Sequence, residues 1–309
     1  MKIKKYVLII LYIGIIITTF IMFSPQIITN NKIYYVENNK IMSADISINK
    51  FSEYGGLFLI NTGLIEIFRG SVSLVDIREE YSLNEEFGIS SIIKSKDKNQ
   101  FFAIKYNKDD TNRYIIKLGG KKEEVLKVFP EHFKIVQLHY SNNKLYFLFN
   151  NRLNKDVGMA SLNLNDGKFD IILKDKNIDD IYDVSNDILV YSKTINQKRN
   201  IYSFNGNTEE LLVEDAHNPN FINNKQFLFL KDPYAGKICL YDLNDKKITY
   251  VGNNYNRIWR TNLTMLNDKY FIVKKHIMPY DPLTQYTVSG TNGMVLILPI
   301  KGPVAINEK

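Results

Sequence analysis

A short apolar segment recurs six times along the 309-residue chain, and this repeat restricts the possible folds more than any other feature. Each copy is a run of four or five apolar, mostly aromatic or β-branched residues that follows polar residues. The copies lie at residues 57–60, 101–104, 145–149, 188–191, 227–230 and 270–273, so that their first residues are 44, 44, 43, 39 and 43 positions apart. Short continuous apolar runs bounded by Asn and Asp are typical of strands that are buried on both faces.

Each core strand is followed by two further strand-like segments with a tight turn between them. The turns contain residue pairs that readily adopt the positive φ angles of two-residue hairpins. These pairs are Gly119-Gly120, Asp166-Gly167, Asn205-Gly206 and Asn244-Asp245. A more variable strand precedes each core strand, and four antiparallel strands per repeat correspond to one propeller blade. The repeat therefore predicts an all-β, six-bladed β-propeller, and a pair of two-sheet β-sandwiches is the alternative architecture.

A propeller also needs a strand that closes its ring, because otherwise the edges of the first and last blades stay unpaired. The apolar segment at 33–36 precedes the first full repeat and has no partner of its own in the sequence pattern. We therefore expect it to be the outermost strand of the last blade. Segment 295–298, near the C-terminus, is the alternative closing strand.

The N-terminus has the pattern of a membrane anchor. Lys2, Lys4 and Lys5 precede 18 uncharged, mostly apolar residues at 6–23. As a helix this run would span about 27 Å, close to the hydrocarbon thickness of a bilayer, which is about 30 Å. A cleaved signal peptide usually has a shorter apolar core that is followed by small residues, and it is the alternative here. The lysines favour a cytoplasmic N-terminus.

This orientation predicts four regions in a protein of the cell membrane. They are a cytoplasmic tail at 1–5, a transmembrane signal-anchor with an N-terminal helix at 6–23, a linker at 24–32 and an extracytoplasmic propeller domain at 33–309. No second apolar run of 18 residues occurs, so we expect a single crossing. The formal net charge is +7, and three of these positive charges precede the anchor. The small remaining excess is dispersed, so nucleic acid is not an expected partner.

The blade pattern consists of an Asn-Asp-type turn, an apolar run, a strand of the form x-Ile-Tyr/Cys-x-apolar and an Asn-Gly-type turn. Over about residues 33–300 this pattern resembles that of the bacterial exported six-bladed propellers of the TolB-like and related cell-surface type. The Trp-Asp dipeptide of WD40 repeats is absent, as are the signature boxes of receptor propellers and sialidases. The resemblance therefore implies a fold and an exported location, and it transfers no functional residue.

Sequence motifs for catalysis or metal binding are missing. The single cysteine, Cys239, excludes an intramolecular disulfide framework and is expected to be a core thiol. The four histidines are never three or four residues apart, and no Gly-x-Ser-x-Gly or His-Glu-x-x-His motif occurs. We therefore predict no catalytic residue, no metal site and no cofactor.

The loops of a propeller predict where it binds ligands. Loops from an outermost strand to the next innermost strand emerge on the same face as loops between second and third strands, and that face usually carries the binding site. The candidates are histidine, arginine and aromatic residues in or beside such loops, namely His132, His217, Tyr234, Arg257, Trp259 and Tyr280. His132 and His217 fall at apparently equivalent points two blades apart. Core packing of Trp259 is the alternative to its exposure in the channel.

The function expected from these observations is binding. The sequence favours a membrane-anchored, extracytoplasmic propeller that acts as a binding or scaffold module for an envelope protein or a cell-surface polymer. The alternative is a propeller-type hydrolase or lyase that uses acids and histidines at the channel mouth, and clustering of Glu131, His132, Asp215 and His217 would favour it. A sensor or immunity-type accessory protein is a third possibility. An enzyme is the less favoured class.

Overall fold

The computed structural model contains β-strands and connecting turns throughout the residues that it describes. These are residues 26–37, 40–49, 72–82, 87–95, 100–107, 112–119, 122–231, 237–253, 261–265, 270–276, 284–290, 295–298 and 304–306. The predicted all-β class is thereby confirmed. No helix in this part of the chain has the length and apolar character required to cross a membrane. The predicted anchor at 6–23 lies outside the described residues.

The described chain forms 24 strands. In order they are β1 (Gln26–Glu37), β2 (Lys40–Asn49), β3 (Val72–Ser82), β4 (Phe87–Lys94), β5 (Phe101–Asn107), β6 (Arg113–Gly119), β7 (Lys122–Phe129), β8 (Phe133–Ser141), β9 (Lys144–Asn151), β10 (Asp156–Asn163), β11 (Phe169–Lys174), β12 (Ile178–Ser185), β13 (Ile188–Ile195), β14 (Lys198–Phe204), β15 (Glu209–Val213), β16 (Ala216–Asn223), β17 (Gln226–Lys231), β18 (Lys237–Asp242), β19 (Lys247–Asn253), β20 (Thr261–Met265), β21 (Tyr270–His276), β22 (Thr284–Gly290), β23 (Val295–Leu298) and β24 (Val304–Ile306).

These strands pair in six four-stranded antiparallel sheets. Five sheets each consist of four consecutive strands, β4 to β7, β8 to β11, β12 to β15, β16 to β19 and β20 to β23. Each of these five is a regular propeller blade, in which the chain runs from the innermost strand outward. The sixth sheet is composite, because its order is β24-β1-β2-β3 and it combines strands from both ends of the chain.

Five of the six predicted core strands are the second strands of the regular blades. They are β5, β9, β13, β17 and β21, and the central residues of β9, β13 and β17 are buried. The turns before β9 and β13 explain why these strands start where they do. Asn142 and Asn143 have φ angles of 48° and 59°, and Asn186 and Asp187 have φ angles of 49° and 61°. Asn and Asp adopt this left-handed conformation more readily than other residues with side chains.

The composite sheet corrects two expectations. The segment at 33–36 is not an outer strand of the last blade, because it belongs to β1, the second strand of the composite sheet. Its Ile33, Tyr34 and Tyr35 are buried, as expected of a core strand. The alternative closing segment, Val295–Leu298, is the outermost strand of the last regular blade. The prediction of six blades is therefore corrected to five blades, which are accompanied by the composite sheet, and the first predicted core strand, at 57–60, lies outside the described residues.

The ring is closed by β24 instead. It pairs with β1 in antiparallel register, with Tyr34 opposite Ala305 and Ile33 opposite Ile306. The innermost strands then contact one another in the order β24, β4, β8, β12 and β16, followed by β20, and β23 contacts β3. The propeller fold is therefore confirmed, and its first and last sheets are neighbours. The N-terminal segment contributes the second, third and fourth strands of the composite sheet, and the short C-terminal strand β24 is its innermost strand.

The hydrophobic core consists of layers between neighbouring sheets. One layer contains Ile104 and Ile115 from one blade and Leu145 and Phe147 from the next. Another contains Val190 and the buried Cys239, and the expectation that this cysteine is a core thiol is thereby met. A blade that packs against a neighbour on each side buries side chains on both of its faces. This explains why the core strands are continuously apolar and do not alternate between apolar and polar residues.

The innermost strands are bulged in the same region. Four of them, β4, β8, β12 and β16, change register near their middle. A bulge leaves backbone amides without a partner inside the sheet. Side chains of the preceding blade accept hydrogen bonds from three amides in or beside these bulges: Ser91 Oγ from Leu138 N at 3.0 Å, Ser192 Oγ from Asn218 N at 3.1 Å and Asp183 Oδ2 from Phe221 N at 2.7 Å.

Candidate functional site

A cavity of about 660 Å³ lies on the face of the propeller where the first and second strands of each blade are joined. Its rim includes five asparagines, namely Asn142, Asn143, Asn165, Asn186 and Asn224. Asn142, Asn186 and Asn224 come from the first-to-second-strand turns of three successive blades. Asn165 comes from the third-to-fourth-strand turn of one blade, which emerges on the same face. We call this cavity the turn groove.

The rest of the turn groove is polar and nearly neutral. Ser95, Ser141 and Ser185 add hydroxyl groups to the amides of the rim. The two charged side chains among the described lining residues are Lys117 and Glu124, and they form an ion pair of 3.2 Å with each other. Their charges therefore compensate, and the groove offers hydrogen-bond donors and acceptors without a net charge.

One side of the turn groove carries aromatic side chains. Phe102 and Tyr140 stack across the boundary between two blades, with ring centroids 5.8 Å apart and planes inclined by 10°. Phe102 is buried, whereas Tyr140 is partly exposed. The aromatic surface that is accessible in the groove therefore belongs mainly to Tyr140, and the packing against Phe102 fixes its orientation.

Hydrogen bonds hold the rim side chains in place. Asn142 Nδ2 donates to Asp187 Oδ2 at 3.0 Å, and Ser185 Oγ donates to Asn224 Oδ1 at 2.8 Å. Asn143 donates to the side-chain oxygen of Asn165. Two of these three contacts connect neighbouring blades. The rim is therefore oriented before any ligand arrives, which lowers the entropy cost of binding.

The binding face predicted from the sequence is the opposite one. His132 lies there, in the turn between β7 and β8, where its backbone carbonyl accepts a hydrogen bond from Arg152 N at 2.8 Å. The other predicted residues on this face, Tyr234, Arg257, Trp259 and Tyr280, lie outside the described residues. Of the six predicted ligand-binding residues, the structure therefore describes only His132 and His217.

His217 lies in the innermost strand β16 and not in a loop, as the sequence had suggested. His217 pairs with Leu230 of the adjacent core strand, and in the blade of β8 the corresponding pair is Val136 and Leu148. The residue equivalent to His217 in that blade is therefore Val136 and not His132. The side chain of His217 is 2% exposed, and neither ring nitrogen has a hydrogen-bond partner within the described part of the chain. Burial lowers the pKa of His217 to about 4, although the side chain of Asn218 favours the protonated form, and the positive charge of Arg199 acts in the same direction as burial.

This depressed pKa predicts that acid weakens the fold. The unfolded chain binds a proton on His217 near pH 6.5, whereas the folded protein binds it only near pH 4. The contribution of the neutral imidazole is therefore complete above pH 6.5 and decreases as the pH falls towards 4. We expect it to reduce the free energy of unfolding by about 2 to 3 kcal/mol between pH 7 and pH 4.5. Urea titrations of the wild type and His217→Gln at both pH values measure this, and identical pH dependence in both would contradict it.

The acid and histidine cluster that would favour an enzyme does not form around His217. Glu131 and Asp215 are exposed, and neither ring nitrogen of His217 bonds to a described carboxylate. Among the described residues, no group of three or more His, Cys, Asp or Glu side chains is arranged to hold a metal ion.

The sequence reasoning missed a histidine–carboxylate contact between two innermost strands. His139 Nδ1 of β8 is 2.7 Å from Asp183 Oδ1 of β12, and the two side chains are 19% and 14% exposed. The carboxylate also accepts the hydrogen bond from Phe221 N of β16. Asp183 therefore connects three successive innermost strands beside the channel. Asp183 follows His139 by 44 positions, which is close to the spacing of the core strands. This spacing is the signal in the sequence that indicates equivalent positions.

Comparisons with known proteins agree with the fold. No protein-family model matches the chain, and no curated protein matches it. The crystal structure of TolB from Acinetobacter baumannii matches with a TM-score of 0.58 and 12% identity, over 91% of this chain and 67% of that chain. A chain of a nidogen/laminin complex matches with a TM-score of 0.54 and 7% identity, over 90% and 98% of the two chains.

A third similar structure is an enzyme. An oligogalacturonate lyase in complex with manganese matches with a TM-score of 0.52 and 9% identity, over 88% of this chain and 84% of that chain. At such identities the likeness shows the propeller fold alone. The fold therefore leaves the function to be argued from the residues of this chain.

Proposed function

We propose that the protein is a binding module of the cell envelope and that the turn groove is its binding site. The observation that carries this proposal is the polar groove of about 660 Å³, which is formed by equivalent turns of successive blades. Its volume is within the range typical of ligand sites, and its rim is held in place by hydrogen bonds between neighbouring blades. A preformed, uncharged groove fits recognition better than it fits catalysis.

The location in the envelope is the second part of the proposal. The apolar segment at 6–23, with three lysines before it, supports a single-pass anchor with the propeller outside the cytoplasm. A partner in the envelope, either another protein or a surface polymer, follows from that location. TolB and the nidogen/laminin chain are similar in fold, and the second of these was crystallised in a complex with another protein.

The face with His132 is proposed as a second binding surface. Its candidate residues Tyr234, Arg257, Trp259 and Tyr280 have the side-chain types that often contribute most to recognition. The alternative function is a hydrolase or lyase acting from the same face. The fold of the oligogalacturonate lyase is compatible with it, but neither nitrogen of the buried His217 imidazole bonds to a carboxylate of the described residues.

Capture of envelope material tests the binding role of the turn groove. The full chain in detergent is immobilised and exposed to an extract of envelope proteins and surface polymers from the cells that produce it. We expect the wild type to retain a component that the variant Asn224→Trp loses, because Asn224 is exposed on the rim and an indole would fill the groove. Quantification of protein and total sugar in the eluate measures both classes of ligand.

The control is Asn154→Trp, which adds the same indole to an exposed turn on the opposite face. It should retain the component as the wild type does. Equal retention by all three proteins, or retention by none of them, would contradict a binding role of the turn groove. Loss in the control alone would indicate the face with His132 instead.

A further inference from the structure

We propose that the turn groove binds an uncharged linear polysaccharide. This inference rests on the proposed function, since it names the ligand class of the same site. Three properties of the groove support it: its side-chain chemistry, the repetition of its rim along successive blades and its aromatic surface. All three are observed in residues that the structure describes.

The chemistry of the rim matches sugar hydroxyl groups. Amides both donate and accept hydrogen bonds, as do serine hydroxyls. Sugar hydroxyls do the same, so a neutral sugar satisfies such a rim without bringing a charge into it. An anionic ligand would instead require unpaired cations, and Lys117, which lines the groove, is already paired with Glu124 at 3.2 Å. The lining therefore favours a neutral ligand over a charged one.

The contacts within the rim leave part of each amide available. Asn142 uses its amide nitrogen for Asp187, and Asn224 uses its amide oxygen for Ser185. Within the described chain, the oxygen of Asn142 and the nitrogen of Asn224 have no hydrogen-bond partner. A ligand therefore meets one oriented acceptor and one oriented donor on different blades.

The repetition of the rim indicates a ligand with repeating units. Asn142, Asn186 and Asn224 each occupy the first turn position between the first two strands of a blade, in three successive blades. Sheets that pack face to face are about 10 Å apart, so the same amide recurs at intervals of this order. Two linked sugar rings have a similar length. A regular polysaccharide therefore presents the same hydroxyl pattern to one Asn after another.

The aromatic surface completes the site. The partly exposed ring of Tyr140 is fixed by its stacking on Phe102 and offers a flat apolar face beside the amides. Sugar rings have one such face, which is formed by their C–H groups. A protein partner would instead need a larger apolar core at its interface, and the described groove lining has few apolar residues: Phe102, Leu126, Leu164 and Val184.

Titration with defined oligosaccharides tests the proposal. The probes are hexasaccharides of glucose, mannose, galactose and N-acetylglucosamine, and a galacturonate hexamer is the charged comparison. The full chain is kept in a detergent without a sugar headgroup, and binding is measured by isothermal titration calorimetry. We expect at least one uncharged hexamer to bind and the galacturonate hexamer to bind at least tenfold more weakly.

The decisive variant is Asn142→Gly combined with Asn186→Gly. Glycine keeps the positive φ angles of both turns, so the amides are removed without backbone strain. We expect at least a tenfold loss of affinity. The matched control is Asn196→Gly, because Asn196 has a φ of 50° in an equivalent two-residue turn on the opposite face, and it should bind as the wild type does. Asn224→Trp is the second variant if the double variant does not fold.

The outcomes separate this proposal from the binding role itself. It is overturned if no uncharged hexamer binds, if the galacturonate hexamer binds as tightly or if the double variant keeps full affinity. Retention of a protein by the groove in the capture experiment, without binding of any hexamer, would support the binding module and overturn the polysaccharide. Groove-dependent binding of an uncharged hexamer supports both.

Discussion

Truncation of the chain after residue 303 is expected to lower the thermal unfolding midpoint of the propeller strongly. The removed segment contains β24, which is the innermost strand of the composite sheet and the only described connection by strand pairing between the two ends of the chain. Without it, the backbone of Ile33, Tyr34 and Tyr35 loses its partner on one side. These residues are buried in the complete chain, so water would enter between the first and last sheets.

The size of the effect follows from the bonds that are lost. Each backbone hydrogen bond contributes about 0.5 to 1.5 kcal/mol, and a buried group without a partner costs about 1 to 3 kcal/mol. The free energy of unfolding should therefore fall by about 3 kcal/mol or more, a large part of the stability of a typical domain. Thermal denaturation followed by circular dichroism measures the change. Truncation after residue 306 keeps β24 and is the matched control, and equal midpoints for both truncations would contradict the role of this strand.

Closure by β24 shows where the sequence pattern stops being informative. The core strands of the regular blades follow from local apolar runs and from turn residues such as Asn142 and Asn186. The pairing of β1 with β24 joins residues about 270 positions apart, and β24 has only three residues. A strand this short has no periodicity of its own. The segment at 33–36 was therefore recognised as a strand, but its place in the ring depends on a partner that no local pattern indicates.

The candidate site was harder to predict than the fold. Asparagine is a typical turn residue, so the positive φ angles of a single blade are enough to explain Asn142 and Asn186. Their second property, that Asn142, Asn186 and Asn224 lie side by side, emerges only when the blades are arranged around the axis. His217 was assigned to a loop because it precedes Asn218 and Pro219, which are typical of loops. In the structure these residues form the bulge of β16.

Replacement of Asp183 by alanine is the second change with a large expected effect. The carboxylate is 2.7 Å from His139 Nδ1 and accepts a hydrogen bond of 2.7 Å from Phe221 N, so it connects β8, β12 and β16. Phe221 lies beside a register shift of β16, and its amide donates to this carboxylate of the preceding blade. Alanine would remove the side-chain acceptor of this amide and the contact with His139.

We expect Asp183→Ala to lower the free energy of unfolding by about 2 to 4 kcal/mol, because a hydrogen bond to a charged group contributes about 1.5 to 3 kcal/mol and a buried group left without a partner costs about 1 to 3 kcal/mol. Asp183→Asn keeps an oxygen for the Phe221 amide and loses the charge, so its loss should be smaller. The matched control is Asp187→Gly at the same hairpin, where the side chain is 44% exposed and its contacts are partly solvated. Glycine keeps the φ of 61° at this position without strain, so its loss should be about 1 kcal/mol. Urea denaturation at pH 7 measures all three, and a loss for Asp183→Ala no larger than for Asp187→Gly would show that Asp183 does not hold the innermost strands together.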